Sequence, residues 1–139
     1  MSTDDLPSRM MAAPLIGHMQ VALIPSSSGV YTAWLQGEPR CLYVGRAGNS
    51  PSGNLRKRIR SHFLGQRGSD QFCLYVYDAY VHAERTLEPR PLITSEVNRR
   101  TAQWVRDHVQ FRFLQISESE ATHAEERLRQ LLRPILNPP

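Results

Sequence analysis

The chain has 139 residues, 40% hydrophobic and 22% charged, with a net charge of +4 and a pI near 9.5. That length suits one domain with a real core, and the composition excludes collagen-like, repetitive and intrinsically disordered proteins. The positive balance suits a polyanionic partner without requiring one.

Residues 1–24 read as a leader of uncertain structure ahead of a domain spanning 25–139. The most apolar part of the leader, Met10 to Ile24, is interrupted by Gly17, His18 and Gln20 and is too short to cross a bilayer. Asp4 and Asp5 stand where a secretory signal would carry its basic start. A cytoplasmic location with no membrane partner is therefore expected.

Pro25 and serines 26–28 punctuate the chain before Gly29. Val30 to Leu35 alternates β-branched and aromatic residues and reads as a strand. Gln36-Gly37-Glu38-Pro39 is a turn, and Cys41 to Gly45 is the returning strand of a hairpin. Gly45 to Gly53, rich in Gly, Ser, Asn and Pro, is a loop. It lacks the G-K-[ST] ending of a phosphate loop, which excludes nucleotide binding of that kind.

Asn54 is placed to cap a helix that runs to about Leu64 and stops at Gly65. Leu55, Ile59 and Phe63 form its buried stripe, and Arg56, Lys57 and Arg60 point to solvent. Arg58 and His62 lie one turn apart on a neighbouring face. Phe72 to Val81 fits either a strand or a buried helix. Ser69-Asp70 as a cap, with Ala83, Glu84 and Arg85 continuing, tilts the reading to helix. Pro89 and Pro91 break the chain. Ser95 caps a helix through Val109, and Val109 to Ile116 reads as a strand. Ser117-x-x-Glu120 matches a capping box for a last helix to about Arg133, ended by Pro134, with Ala124, Leu128, Leu131 and Ile135 as its apolar edge. The order implies an α+β domain: a small antiparallel three-stranded sheet flanked by helices.

Cys41 and Cys73 have no CxxC spacing and read as buried, reduced thiols. His18, His82, His108 and His123 show no ligand spacing. Lys57 is the only lysine. Arginine forks grip phosphate bidentately, but genome base composition also favours arginine, and the two explanations stand level.

Two tripeptides, Gly29-Val30-Tyr31 and Tyr43-Val44-Gly45, sit one on each hairpin strand. Asn54-Leu55-x-x-Arg58-x-x-x-His62 follows on a helix, and Glu125, Pro134 and Asn137 close the set. One tripeptide alone carries little weight; the ordered set resembles the GIY-YIG nuclease superfamily over about residues 25–139. Residues 66–93 then stand as an insertion.

The resemblance implies a DNA endonuclease dependent on Mg²⁺ or Mn²⁺. Tyr31 and Tyr43 would line the water and the scissile phosphate, with Tyr31 the first choice as general base. A phenol needs nearby positive charge to act so near neutral pH. Arg58 would clamp the phosphate, and His62 would bond phosphate or a tyrosine. Glu125 would be the metal carboxylate, enough for an ion that completes its shell with water and phosphate oxygens. Asn137 would support the site. Arg46 stands where several members carry a proton-accepting lysine; arginine cannot take that role, so its contribution would be electrostatic. Arg56 and Arg60 add substrate contacts. The runner-up is a catalytically silent nucleic-acid-binding module of the same fold. The apolar content of Phe72, Leu74, Val76, Tyr77, Tyr80 and Val81 suggests a homodimer interface within 66–93.

Overall fold

The computed structural model describes residues 5–85 and 91–138. Three strands, β1 (Gly29–Leu35), β2 (Cys41–Ala47) and β3 (Val109–Gln115), form an antiparallel sheet in the order β2-β1-β3. Helices cover both faces. α2 (Leu55–Leu64), α3 (Gln71–Val76) and α4 (Thr94–His108) take one face, and α1 (Leu6–Ala12) and α5 (Glu118–Leu132) the other. The architecture is α+β, as the element order implies. Because β1 is central and covered on both faces, its residues from Gly29 to Trp34 are all buried, polar Thr32 included.

Two apolar clusters follow the two faces. Tyr31, Ala33, Tyr43 and Phe111 join Ile59, Phe63, Phe72 and Val105 under α2–α4. Val30, Trp34, Val44 and Leu128 join Leu6 and Met10 under α1 and α5. The leader thus contributes to the core: Leu6, Met10, Ile16 and Ile24 are all buried. Local periodicity gives no hint of this, because the partners are far away in sequence. Residues 1–4 of the leader lie outside the described residues.

α2 starts and stops as expected. The Asn54 side chain accepts from Lys57 N at 3.1 Å. Gly65 ends the helix at φ 75°, in the left-handed region, and a side chain there would run into the α4 backbone at Asn98 and Ala102. The helical reading of Phe72 to Val81 also holds. Asp70 caps α3 by accepting from Cys73 N at 3.1 Å, and the chain continues in a π turn over Tyr77–Val81. Phe72, Val76, Tyr77 and Val81 are buried in the first cluster, and Tyr80 stacks on Trp104 with centroids 4.6 Å apart. Most of the apolar surface that suggested an interface is therefore consumed inside the chain. Residues 86–90, which include Pro89, lie outside the described residues.

Two expected caps do not form. α4 begins at Thr94, so Ser95 is inside the helix, and Ile93 occupies the cap position without a side-chain bond. Ser117 does precede α5, yet its hydroxyl pairs with Ser119 at 3.3 Å instead of capping the backbone. Here two exposed hydroxyls so close in sequence satisfy each other. Cys41 and Cys73 are free, buried thiols, and burial pushes Cys41 up to about 12.

Candidate active site

Strand register brings the tyrosines together. Tyr31 faces Gly45 across the β1–β2 ladder and Ala33 faces Tyr43, so both tyrosines project from one sheet face on a diagonal, with ring centroids 6.4 Å apart. α2 crosses that face and delivers Arg58 and His62. His62 is 2% exposed, so it belongs to the buried stripe and not beside it. It sits in an aromatic box of Tyr31, Tyr43, Phe72 and Phe111, the Phe72 ring at 4.7 Å.

The Tyr31 hydroxyl lies 2.7 Å from His62 Nε2, and His62 Nδ1 lies 2.8 Å from Asp70 Oδ2. Burial, reinforced by the neighbouring Tyr43, drives the Tyr31 pKa far up, and Arg58 only partly offsets this. Tyr43 is raised as well, by burial first, with Arg58 opposing. At Asp70 burial acts upward, but the His62 hydrogen bond, the Cys73 N–H and Arg58 together hold the carboxyl below its usual range.

An open pocket of about 270 Å³ adjoins these groups. Tyr43, Arg58, His62 and Asp70 line it, with Ser61 and Gln66 at its rim. Tyr31 stays behind them at 0% exposure. Of these residues, Asp70 reads in the sequence only as a helix cap; nothing local signals that its second oxygen reaches His62.

The remaining candidates, Arg46 and Glu125, lie toward the opposite sheet face. β2 is an edge strand, and α5 packs on it, so Arg46 reaches Thr122 and stands 3.9 Å from Glu125. Arg129 approaches the same carboxylate at 3.8 Å. Neither contact is within hydrogen-bonding distance. Burial raises the Glu125 pKa despite the opposing charges of Arg46 and Arg129. At Tyr43 the Glu125 carboxylate adds to the rise and Arg58 opposes it. Among the described residues no group of three or more His, Cys, Asp or Glu forms a metal cage. The half-buried Glu125 carboxylate, whose burial a cation would offset, still fits the one-carboxylate coordination that Mg²⁺ accepts.

Asn137 lies along the same edge. Its Oδ1 accepts from Val44 N at 2.8 Å and its Nδ2 donates to Val44 O at 3.0 Å. It holds the strand between Tyr43 and Gly45 and makes no hydrogen bond to the side chains that line the pocket. Arg56 is turned away: its Nε donates to Ile24 O at 2.6 Å, tying α2 to the segment before β1. Arg60, one turn on from Arg56, is exposed on that flank of α2 and not on the Arg58 side.

A family profile described as "GIY-YIG catalytic domain" matches residues 20–138. No curated protein and no solved structure gives a match.

Proposed function

Because this chain belongs to the GIY-YIG catalytic domain family, we propose that it is an endonuclease that hydrolyses DNA phosphodiester bonds with the help of a divalent metal ion. The observation that carries the reading is the convergence of Tyr43, Arg58 and His62 on one open pocket, with Tyr31 bonded behind them and Glu125 at the adjoining strand edge.

Each group has a task. Glu125 would hold Mg²⁺ or Mn²⁺. When bound, the ion would supply positive charge against the phosphate and ease deprotonation of water. Arg58 clamps the scissile phosphate, a job its planar fork suits. The Tyr31 oxygen would accept a hydrogen bond from the attacking water. Tyr43 lines the pocket and orients that water. Arg46 adds positive charge beside Glu125 and cannot exchange protons near neutral pH. Asn137 holds β2 in place.

Supercoiled plasmid incubated with Mg²⁺ and then with EDTA tests the proposal. Open circles that appear with Mg²⁺ and not with EDTA are expected. Unchanged plasmid together with salt-sensitive DNA binding would favour the silent binding module instead. One phosphate site serves one strand, so open circles should precede linear DNA, with light scattering giving the mass of the species that nicks. Linear product appearing first from a scattering monomer would contradict a single site.

A further inference from the structure

We propose that Asp70 is the positioning residue of a one-way proton chain, Tyr31–His62–Asp70, in which it fixes His62 as the Nδ1–H tautomer and leaves Nε2 to receive the Tyr31 proton. The chemistry, though not the tautomer, rests on the nuclease reading above.

The direction of the chain follows from its acidic end. An ionised carboxylate can only accept hydrogen bonds. His62 Nδ1 stands 2.8 Å from Asp70 Oδ2, so a neutral His62 carries its ring proton on Nδ1. Nε2 is then the acceptor, and the Tyr31 hydroxyl, 2.7 Å away, donates to it. The depressed Asp70 pKa is consistent with an ionised acceptor. The polar and titratable groups around the ring are Tyr31, Tyr43, Arg58 and Asp70, and the Cys73 thiol donates to the His62 carbonyl at 3.3 Å. Phe72 and Phe111 wall the ring and limit reorientation.

The chain also resolves how a deeply buried tyrosine can serve as base. A free phenolate is strongly disfavoured at Tyr31, since burial pushes its pKa up. As a relay it never becomes one. The attacking water passes a proton to the Tyr31 oxygen while the proton already on Tyr31 moves to His62 Nε2. The water oxygen forms its bond to phosphorus, and the bond to the leaving oxygen breaks with its electron pair on that oxygen. His62 becomes imidazolium, its charge met by Asp70.

Asp70→Asn is a pointed test because the cap dictates how the amide sits. Asp70 Oδ1 accepts from Cys73 N, so the asparagine carbonyl must keep that place and its NH₂ must replace Oδ2. An NH₂ facing Nδ1 forces the ring proton to Nε2, and Tyr31 loses its acceptor. Asparagine remains a good cap, so the fold should persist.

Nitrogen-15 NMR on histidine-labelled protein, with His62 assigned from its loss in His62→Asn, should find the Nδ1–H form in the parent and the Nε2–H form in Asp70→Asn. Plasmid nicking in Mg²⁺ should fall on the order of 10³–10⁴-fold in Asp70→Asn, in kcat and not KM, with the fold retained at the assay temperature. Should that variant not fold, Asp70→Ser caps the helix without reaching His62 and should lose about 10–100-fold. Nicking within about threefold of the parent in the folded variant, or a parent His62 protonated at Nε2, overturns the proposal. If the parent cuts no DNA at all, the nuclease reading fails, and the tautomer alone then decides the role of Asp70.

Discussion

Gly45 and Tyr31 face each other across the β1–β2 ladder, and the end of the tyrosine ring with its hydroxyl occupies the space where a Cβ at Gly45 would project. The last residue of one motif tripeptide therefore makes room for the last residue of the other. Gly45→Ala should cost about 1–3 kcal/mol in urea unfolding, the range for overpacking a tight site, and should disturb the Tyr31–His62 bond. A variant as stable as the parent would mean the strands separate there at little cost.

Tyr31 and Arg46 should respond differently to conservative change. Tyr31→Phe removes the link between water and His62 and should lower plasmid cleavage by about 10²–10⁴-fold. Arg46→Lys keeps the charge beside Glu125 and should retain activity. Tyr43→Phe should fall between the two. Full activity in Tyr31→Phe with none in Tyr43→Phe would exchange the roles of the tyrosines.

Glu125→Gln separates catalysis from binding. Glutamine has a similar helix propensity, so unfolding should shift by less than about 0.5 kcal/mol. DNA binding in a shift assay should survive, because Arg46 and Arg58 remain, while cleavage in Mg²⁺ falls by orders of magnitude. Parent-like cleavage would remove Glu125 from the site.

Acid unfolding reads out Asp70 on its own. Its folded pKa lies below the usual 3.8, despite the upward push of burial, because of His62, Cys73 N–H and Arg58. Such a carboxyl contributes stability that is complete above its unfolded value and is lost as pH falls through the lower folded one. Asp70→Asn should flatten the decline in unfolding free energy below about pH 4, measured by urea titration at successive pH values. An unchanged slope would show that another carboxyl governs acid unfolding.

Much of this was legible in short-range pattern. The alternating residues of the hairpin, the Leu55–Ile59–Phe63 stripe, the Asn54 cap and the Gly65 stop each act within a few residues, where composition and spacing speak directly. The long-range features were not. His62 reads as lying beside that stripe, and its burial depends on Phe72 and Phe111 closing over it from α3 and β3. Arg56 resembled its basic neighbours until Ile24 O came within its reach. Asp70 carried a cap signal that concealed its second partner. The Ser117 box failed because a nearer hydroxyl competed for the serine.

A three-stranded open sheet exposes two rows of peptide groups, each able to template pairing with a foreign chain. Here both borders are occupied by segments that are not themselves strands. Ile16 exchanges two hydrogen bonds with Phe111 on the outer side of β3, and Arg112 ties Ala13 alongside. Residues 135–137 run along β2, where Ile135 N and Leu136 N donate to Cys41 O and Leu42 O and the Asn137 amide takes both groups of Val44. The segments around Ile16 and Ile135–Asn137 thus act as selvedges, standing where strands from other molecules would have to add. Trimming either one back to the strands would leave a sticky border, and solubility at high concentration would be the first property to suffer.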